Sequence, residues 1–426
     1  MARDFPPYPD TVISRMPSNS GRSDYPVFMA AALVYTLLLP PQVSLHVVSS
    51  SIPAYRVLII AYGLYVVGGA ARGRLRICWP DTMVFFATGW ICLSMFVTSA
   101  RQDAIMASIA HILDIAVTYL FARLAIRELR HLRMLLVLLL PGVVMTGLAM
   151  ITEAVLHRHI VQELFSSLTG GSVVYLSSPR FGLMRAQGPF PHPILAGIFM
   201  TTFLPLYALS DLKLKFRAAG SLAAMCSFFA VSSATLLGLG ASLGALCYNW
   251  LTKRVTRVTW SLFFFAAGVL FFLAELGTRS GTFSLLVRYA SLNSSSAFNR
   301  INIWRYGSKN VAEHPWFGIG YADWERPAWM VQSMDNHWLL ISVRFGLPAS
   351  VAIGLATFLA VIMLMRKSLR SPPADADCER GVIIALLIYA LGMISVALWL
   401  AVQVWFFILI AIAVSLAQAP AMRSAP

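Results

Sequence analysis

The sequence predicts an all-α polytopic membrane protein with about 12 transmembrane helices and a large, partly helical outer loop between spans 9 and 10. Three observations predict it. Hydrophobic residues fill 58% of 426 positions and charged residues only 12%, about half the share of an ordinary soluble domain. Apolar runs long enough to cross a bilayer recur along the whole chain. Basic residues gather in alternate loops, as positive-inside topology requires. Together these exclude a soluble globular enzyme, a disordered chain and a coiled coil. The net charge of +15 then serves topology, so it does not point to nucleic acid.

Residues 1–26 are polar and proline-rich, without a basic stretch running into an apolar one, and read as a cytoplasmic tail rather than a signal peptide. Residues 27–275 read as spans 1–9. The runs lie near 27–48, 52–71, 82–100, 104–126, 134–156, 190–210, 217–234, 235–251 and 258–275. Residues 338–418 hold spans 10–12, near 338–365, 381–399 and 401–418, and 419–426 form a second cytoplasmic tail. Gly346-Leu347-Pro348 marks a place where the long 338–365 run splits into a short first helix and a true span. Arg72, Arg74 and Arg76, then Arg123 to Arg133, then Lys213, Lys215 and Arg217, then Lys253 to Arg257, then Arg366 to Arg380 occupy one set of alternate loops, which puts both termini in the cytoplasm. On the other side, 157–189 and 276–337 are too long to be turns, and long connections are usually functional. The five cysteines avoid both loops, so no disulfide is expected there.

Eleven bases fall on the outer side, where topology does not call for them: Arg101, Arg158, Arg180, Arg185, Arg279, Arg288, Arg300, Arg305, Lys309, Arg326 and Arg344. Arginine presents a planar fork suited to phosphate oxygens. The alternative is a solvated loop paired with Glu163, Glu313, Asp323, Glu325 and Asp335. No phosphate-binding loop, dinucleotide fingerprint or metal-ligand spacing occurs, so neither cofactor nor metal is expected.

Three stretches carry chemistry. Arg185-Ala-Gln-Gly-Pro-Phe-Pro-His192-Pro193 is an irregular start to the sixth span, and irregular backbone at a membrane survives only where protein or water satisfies it. Phe298–Asp323 places Arg300 and Trp304 on one helix face, followed by Pro315-x-x-Gly318-x-Gly320. Asp335-Asn336-His337-Trp338-Leu339 begins the tenth span, where Asp335 or Asn336 either caps the helix or sets a carboxylate and an imidazole at an anion-favouring N-terminus. Within the spans, Arg56, His111, Asp114, Glu153 and Glu275 stand out; His111 and Asp114 are spaced to satisfy each other. The loop tryptophans 304, 316, 324 and 329 suit either sugar faces or a membrane interface.

These motifs, in this order, resemble the O-antigen ligase and Wzy-type polysaccharide polymerase superfamily. The resemblance covers roughly 180–350: Arg185 before a Pro-rich helix start with His192-Pro193, the Arg300-x-x-x-Trp304 helix before Pro315–Gly320, and Asp335-Asn336-x-x-Leu339 with Gly346 eleven residues beyond Asp335. The resemblance implies a metal-independent, inverting membrane glycosyltransferase at the periplasmic face of the bacterial inner membrane. Its substrates would be an undecaprenyl-pyrophosphate-linked oligosaccharide and an acceptor glycan, with other polysaccharide-assembly proteins as partners. It implies Arg185, Arg300 and Arg305 as pyrophosphate ligands, Asp335 and His337 as the proton-accepting pair, and His192, Asn336 and Trp304 in support. The spacing to Gly346 puts Asp335 where the family has histidine. Shifting the register by two restores the histidine but loses the Asn, Leu and Gly matches. That departure favours an exopolysaccharide or O-antigen polymerase over a ligase acting on lipid A core. A flippase for lipid-linked glycan is the rival from another class, and would depend on Arg56, His111 and Asp114.

Overall fold

The computed structural model describes residues 24–47, 50–73, 75–172, 179–255, 257–277 and 294–420. Most of the tail expected at 1–26, part of each outer loop, Arg279 and Arg288 lie outside these residues. The described chain is almost wholly helical, with one antiparallel hairpin of β1 (Ser44–Val47) and β2 (Ser50–Pro53) in register Ser44–Pro53.

The helices follow the apolar runs and stop where the sequence stops them. α1 (Tyr25–Leu37) is shorter than the 27–48 run because Pro40-Pro41 follows, and the rest of that run forms β1. α2 (Ala54–Ala71), α3 (Trp79–Thr98) and α4 (Arg101–His111) come next. A π-helical turn, Ile112–Val117, joins α4 to α5 (Thr118–Ala125), then α6 (Leu129–Leu156) and α7 (Ile160–Thr169). The sixth run is broken into α8 (Pro193–Thr201) and α9 (Phe203–Ala208). The seventh is only α10 (Leu214–Met225) and a 3₁₀ turn at Cys226–Ala230, ended by Val231 at φ 43°. α11 (Ser233–Arg254) and α12 (Trp260–Gly277) complete the first half. α13 (Ser294–Glu313) is the helix of the large loop. Then come α14 (His337–Phe345), α15 (Leu347–Ser368), α16 (Pro373–Gly392) and α17 (Ala401–Gln418).

Seven described helical stretches are long and apolar enough to cross a membrane: α3, Arg101–Ala125, α6, α11, α12, α15 and α17. Tyr25–Leu37, Ala54–Gly69 and Pro193–Ala208 are shorter apolar stretches. The difference from about 12 lies in the runs near 27–48, 190–210 and 217–234, which the chain breaks, in α2, whose apolar stretch Ala54–Gly69 is shorter, and in α16, whose first half carries Asp375, Asp377, Glu379 and Arg380.

α3 lies along α15, and both bury small residues, among them Ala87 and Ala349, Ala352, Ala356 and Ala360. Small side chains let helix backbones approach, which drives association where lipid leaves no hydrophobic gain between helices. Gly197 and Gly220 show the same need: a Cβ on either would collide with Thr235 or Tyr207. A second, smaller core joins the outer segment to this bundle. It gathers Ile303 and Val311 of α13, Trp324, Met330 and Met334 of the following loop, and Leu339 and Val343 of α14. Asn310 fastens that loop by two hydrogen bonds: its side chain donates to the Glu325 carbonyl and accepts from the Glu325 N–H, each at 2.9 Å.

Candidate active site

Gly346 is where the site begins. It adopts φ 85°, and a Cβ there would stand 1.7 Å from the Trp316 carbonyl oxygen, so only glycine fits. The Pro315–Gly320 turn lies directly on the α14–α15 break. Leu347 N–H donates to the Pro315 carbonyl (2.8 Å), Ile319 N–H to Val343 (2.9 Å) and Gly320 N–H to Arg344 (2.9 Å). Gly318 is equally confined, since its Cβ would meet the Val343 and Arg344 backbone at 2.4–2.5 Å. The Pro-x-x-Gly-x-Gly stretch therefore zips the outer segment onto α14 and delivers Tyr321 beside Arg344.

The Arg185 stretch is held by a different device. Glu153, wholly buried near the end of α6, accepts hydrogen bonds from the Gln187 and Gly188 N–H groups at 2.9 Å each and from Val161 N–H at 3.4 Å. Gln162 donates to the Gly188 and Phe190 carbonyls at 3.0 and 3.1 Å. A buried carboxylate and amide thus satisfy the backbone of a strap that forms no regular structure.

These two constructions close on one cavity of about 960 Å³. Arg185, His192, Arg300, Asp335 and His337 of the sequence-predicted set line it. Arg180 and Arg344 line it as well; in the sequence nothing but their place on the outer side marks them. So do Arg56, His111 and Asp114 from within the spans, and Tyr321, for which the only sequence signal is its place right after Gly320. Asn336 settles the capping alternative: its side chain accepts from Leu339 N–H at 3.0 Å, which leaves the Asp335 carboxylate to the cavity. Arg305 and Trp304 lie on the exposed side of α13 and do not line the cavity; the Arg305 guanidinium sits 5.9 Å from the centre of the Tyr306 ring.

His111 and Asp114 do not satisfy each other. The π-helical turn carries Asp114 to Arg56, which donates to it twice, at 2.9 and 2.6 Å. His111 Nε2 instead meets the Tyr321 hydroxyl at 3.0 Å. The solvated-loop alternative holds for Arg158 with Glu163, Lys309 with Glu313 and Arg326 with Asp323. Of the loop tryptophans, Trp324 is core, while 304, 316 and 329 are exposed.

The field in the cavity is positive. Five arginines, 56, 180, 185, 300 and 344, face it against three carboxylates, Asp114, Asp323 and Asp335, of which Asp323 is paired with Arg326. Four helix N-termini reach its lining: α8 with cap His192, α11 with cap Ser232, α14 with cap Asn336, and α17, whose first turn no side chain caps. Each brings partial positive charge. The charges fall into two groups. Arg300 faces Asp335 and Arg180, and His192 faces Arg185 and Arg180. Arg344 faces Tyr321, with His111 and His337 close by.

Burial pushes the Asp335 carboxyl above its usual range, against the pull of Arg300. Burial also lowers Arg300, partly offset by Asp335. Burial holds His192 down at about 4, helped by Arg185 and Arg180. His337 is pushed down to about 3, first by burial and then by Arg344 and His111, so its imidazole is neutral. Its Nδ1 accepts from Leu398 N–H at 3.2 Å, which leaves the ring proton on Nε2. Among the described residues no group of three or more His, Cys, Asp or Glu is placed to hold a metal ion.

Residues 218–354 match the O-antigen ligase family model, Wzy_C. The chain carries an O-antigen ligase domain. That domain runs from α10 into α15 and contains Arg300, Tyr321, Asp335, His337, Arg344 and the zipped glycines. Arg56, Asp114, Arg180, Arg185 and His192 reach the same cavity from outside the domain. O-antigen ligase proteins and their polymerase relatives are membrane enzymes that transfer glycosyl groups. No curated protein matches the chain.

Proposed function

We propose that the protein transfers glycan from an undecaprenyl-pyrophosphate carrier to a sugar hydroxyl at the periplasmic face of the inner membrane, polymerising the repeat units of a surface polysaccharide. The observation that carries this reading is the convergence of Arg180, Arg185 and Arg300 with Asp335 on one cavity to which four helix N-termini contribute. A leaving pyrophosphate needs such a field, preorganised where negative charge develops. The acceptor oxygen attacks the anomeric carbon on the face opposite the carrier. The bond from that carbon to the phosphate oxygen breaks, the pyrophosphate keeps the electron pair, and the configuration inverts. The hydroxyl proton passes to Asp335, as general-base chemistry requires. His337, neutral and protonated on Nε2, offers a hydrogen-bond donor rather than a second base. No nucleotide or metal takes part in this step.

Arg56, His111 and Asp114 face the same cavity as Asp335. That favours one chemical site over the flippase reading, which expects the intramembrane charges to act apart from the outer loop. A ligase acting on lipid A core is the second reading, and the description of the matched family favours it. The experiment uses purified protein in lipid with carrier-linked repeat units and no nucleotide. A ladder of longer carrier-linked glycans, lost in Asp335→Ala, supports the polymerase. Transfer only after lipid A core is added makes it a ligase. No transfer with either acceptor rejects both.

A further inference from the structure

The main cavity is joined by a second one. A groove of about 510 Å³ runs along the α3–α4 turn, lined by Ser99, Asp103, Met106 and Ala107, and by Tyr321 and Ala322, which line the main cavity too. The chemistry changes across that shared wall. The main cavity presents five arginines against three carboxylates, a surplus of positive charge. The groove lining holds one carboxylate, one serine hydroxyl, one aromatic ring and no base; Arg101, on the same turn, is not part of it. A pyrophosphate is drawn to the first space and repelled by the second. An uncharged polyol has the opposite fit, since its hydroxyls donate to a carboxylate and its C–H faces lie against an aromatic ring.

Tyr321 is fixed between the two. Its hydroxyl meets His111 Nε2 at 3.0 Å, the Arg344 guanidinium lies 5.0 Å from its ring centre, and Phe345 meets the ring nearly edge-on at 6.3 Å. Despite these contacts the residue is 51% exposed. The backbone that carries it is the turn zipped onto α14, so the ring is a rigid wall between the cavities.

We propose that the groove is the acceptor-glycan site: it takes the neutral sugar chain, and Tyr321, which lines both spaces, sets where the chain's end enters the cavity that Asp335 also lines. This rests on the transfer reaction proposed above, and the test separates the two. Full-length protein in lipid is given carrier-linked glycan extracted from cells lacking this gene, and farnesyl pyrophosphate serves as a separate binding probe for the arginine cavity. Met106→Trp fills the groove from an exposed position. It is expected to cut transfer at least tenfold while the Kd for farnesyl pyrophosphate stays within twofold. Asp103→Asn is expected to cut transfer about tenfold with binding again unchanged, the scale of one hydrogen bond to a charged group. Wild-type transfer rates in both variants overturn the groove assignment and leave the glycosyltransferase reading standing. Failure of wild-type protein to bind farnesyl pyrophosphate, or wild-type binding in Arg185→Gln, overturns the glycosyltransferase reading and the groove with it.

Discussion

Among the described outer bases, Arg185 and Arg300 stand apart in being nearly buried, at 6% and 8% exposure. A guanidinium kept from water gains most from a planar oxyanion that takes two parallel N–H bonds. Lysine has the charge without the fork. Arg185→Lys and Arg300→Lys are therefore expected to lose nearly as much transfer as the alanine variants, at least tenfold each; near-normal polymer from both would remove bidentate recognition from the mechanism. Asp335 carries a pH prediction. As the proposed base it must be ionised to accept a proton, so the proposed transfer falls as pH drops through its pKa. Burial raises that pKa, so the acid limb of the rate profile is expected above the range of an exposed aspartate. Asp335→Glu should shift this limb, and a limb that stays in place assigns the proton to another group. The sequence already singles out Arg185, Arg300 and Asp335, because each sits in a motif. It does not single out Arg344 or Tyr321, whose meeting depends on backbone bonds between the 315–320 turn and α14.

At the scale of elements, uninterrupted apolar runs were legible to within a few residues: 52–71 became α2, 134–156 lies inside α6, and 401–418 became α17. The split at Gly346 also follows from its residues, since Pro348 suits the first turn of a helix and glycine alone accepts the φ the break needs. What the period of a run cannot show is a partner far along the chain. Glu153 reads from the sequence as an isolated intramembrane acid. In the fold it accepts two strap N–H groups 34 and 35 residues away, and so positions Arg185 without lining the cavity. Glu153→Ala leaves those buried donors unmet, at about 1–3 kcal/mol each. The expected result is a lowered melting temperature together with weaker farnesyl pyrophosphate binding. Glu153→Gln keeps one acceptor oxygen and should recover part of both. A variant that melts earlier but binds the probe normally would confine Glu153 to stability.

Across the whole molecule, the cavity is assembled from both halves of the chain, so something must keep the first helices registered against the last. One buried network does so. Arg123 of α5 donates to both oxygens of Asp81 on α3, at 2.9 and 3.2 Å, to Ser415 Oγ at 3.1 Å and Gln418 Oε1 at 2.9 Å on α17, and to the Arg76 carbonyl at 3.1 Å. Tyr119 adds a bond to Asp81 at 2.7 Å. Asp81 and Arg123 are 2% and 4% exposed. In the sequence, Arg123 is one of many topology-setting bases, because Asp81 is 42 residues away and Ser415 292. A buried pair of this kind stabilises little against an apolar replacement, yet breaking it strands a charge at about 3–5 kcal/mol. Asp81→Leu and Arg123→Met are each expected to lower the melting temperature in detergent sharply, while the double variant recovers much of the loss. Neither residue lines the cavity, so molecules that remain folded should bind farnesyl pyrophosphate normally. Additive losses in the double variant would mean that Ser415, Gln418 and the Arg76 carbonyl, rather than charge neutralisation by Asp81, hold the two halves together.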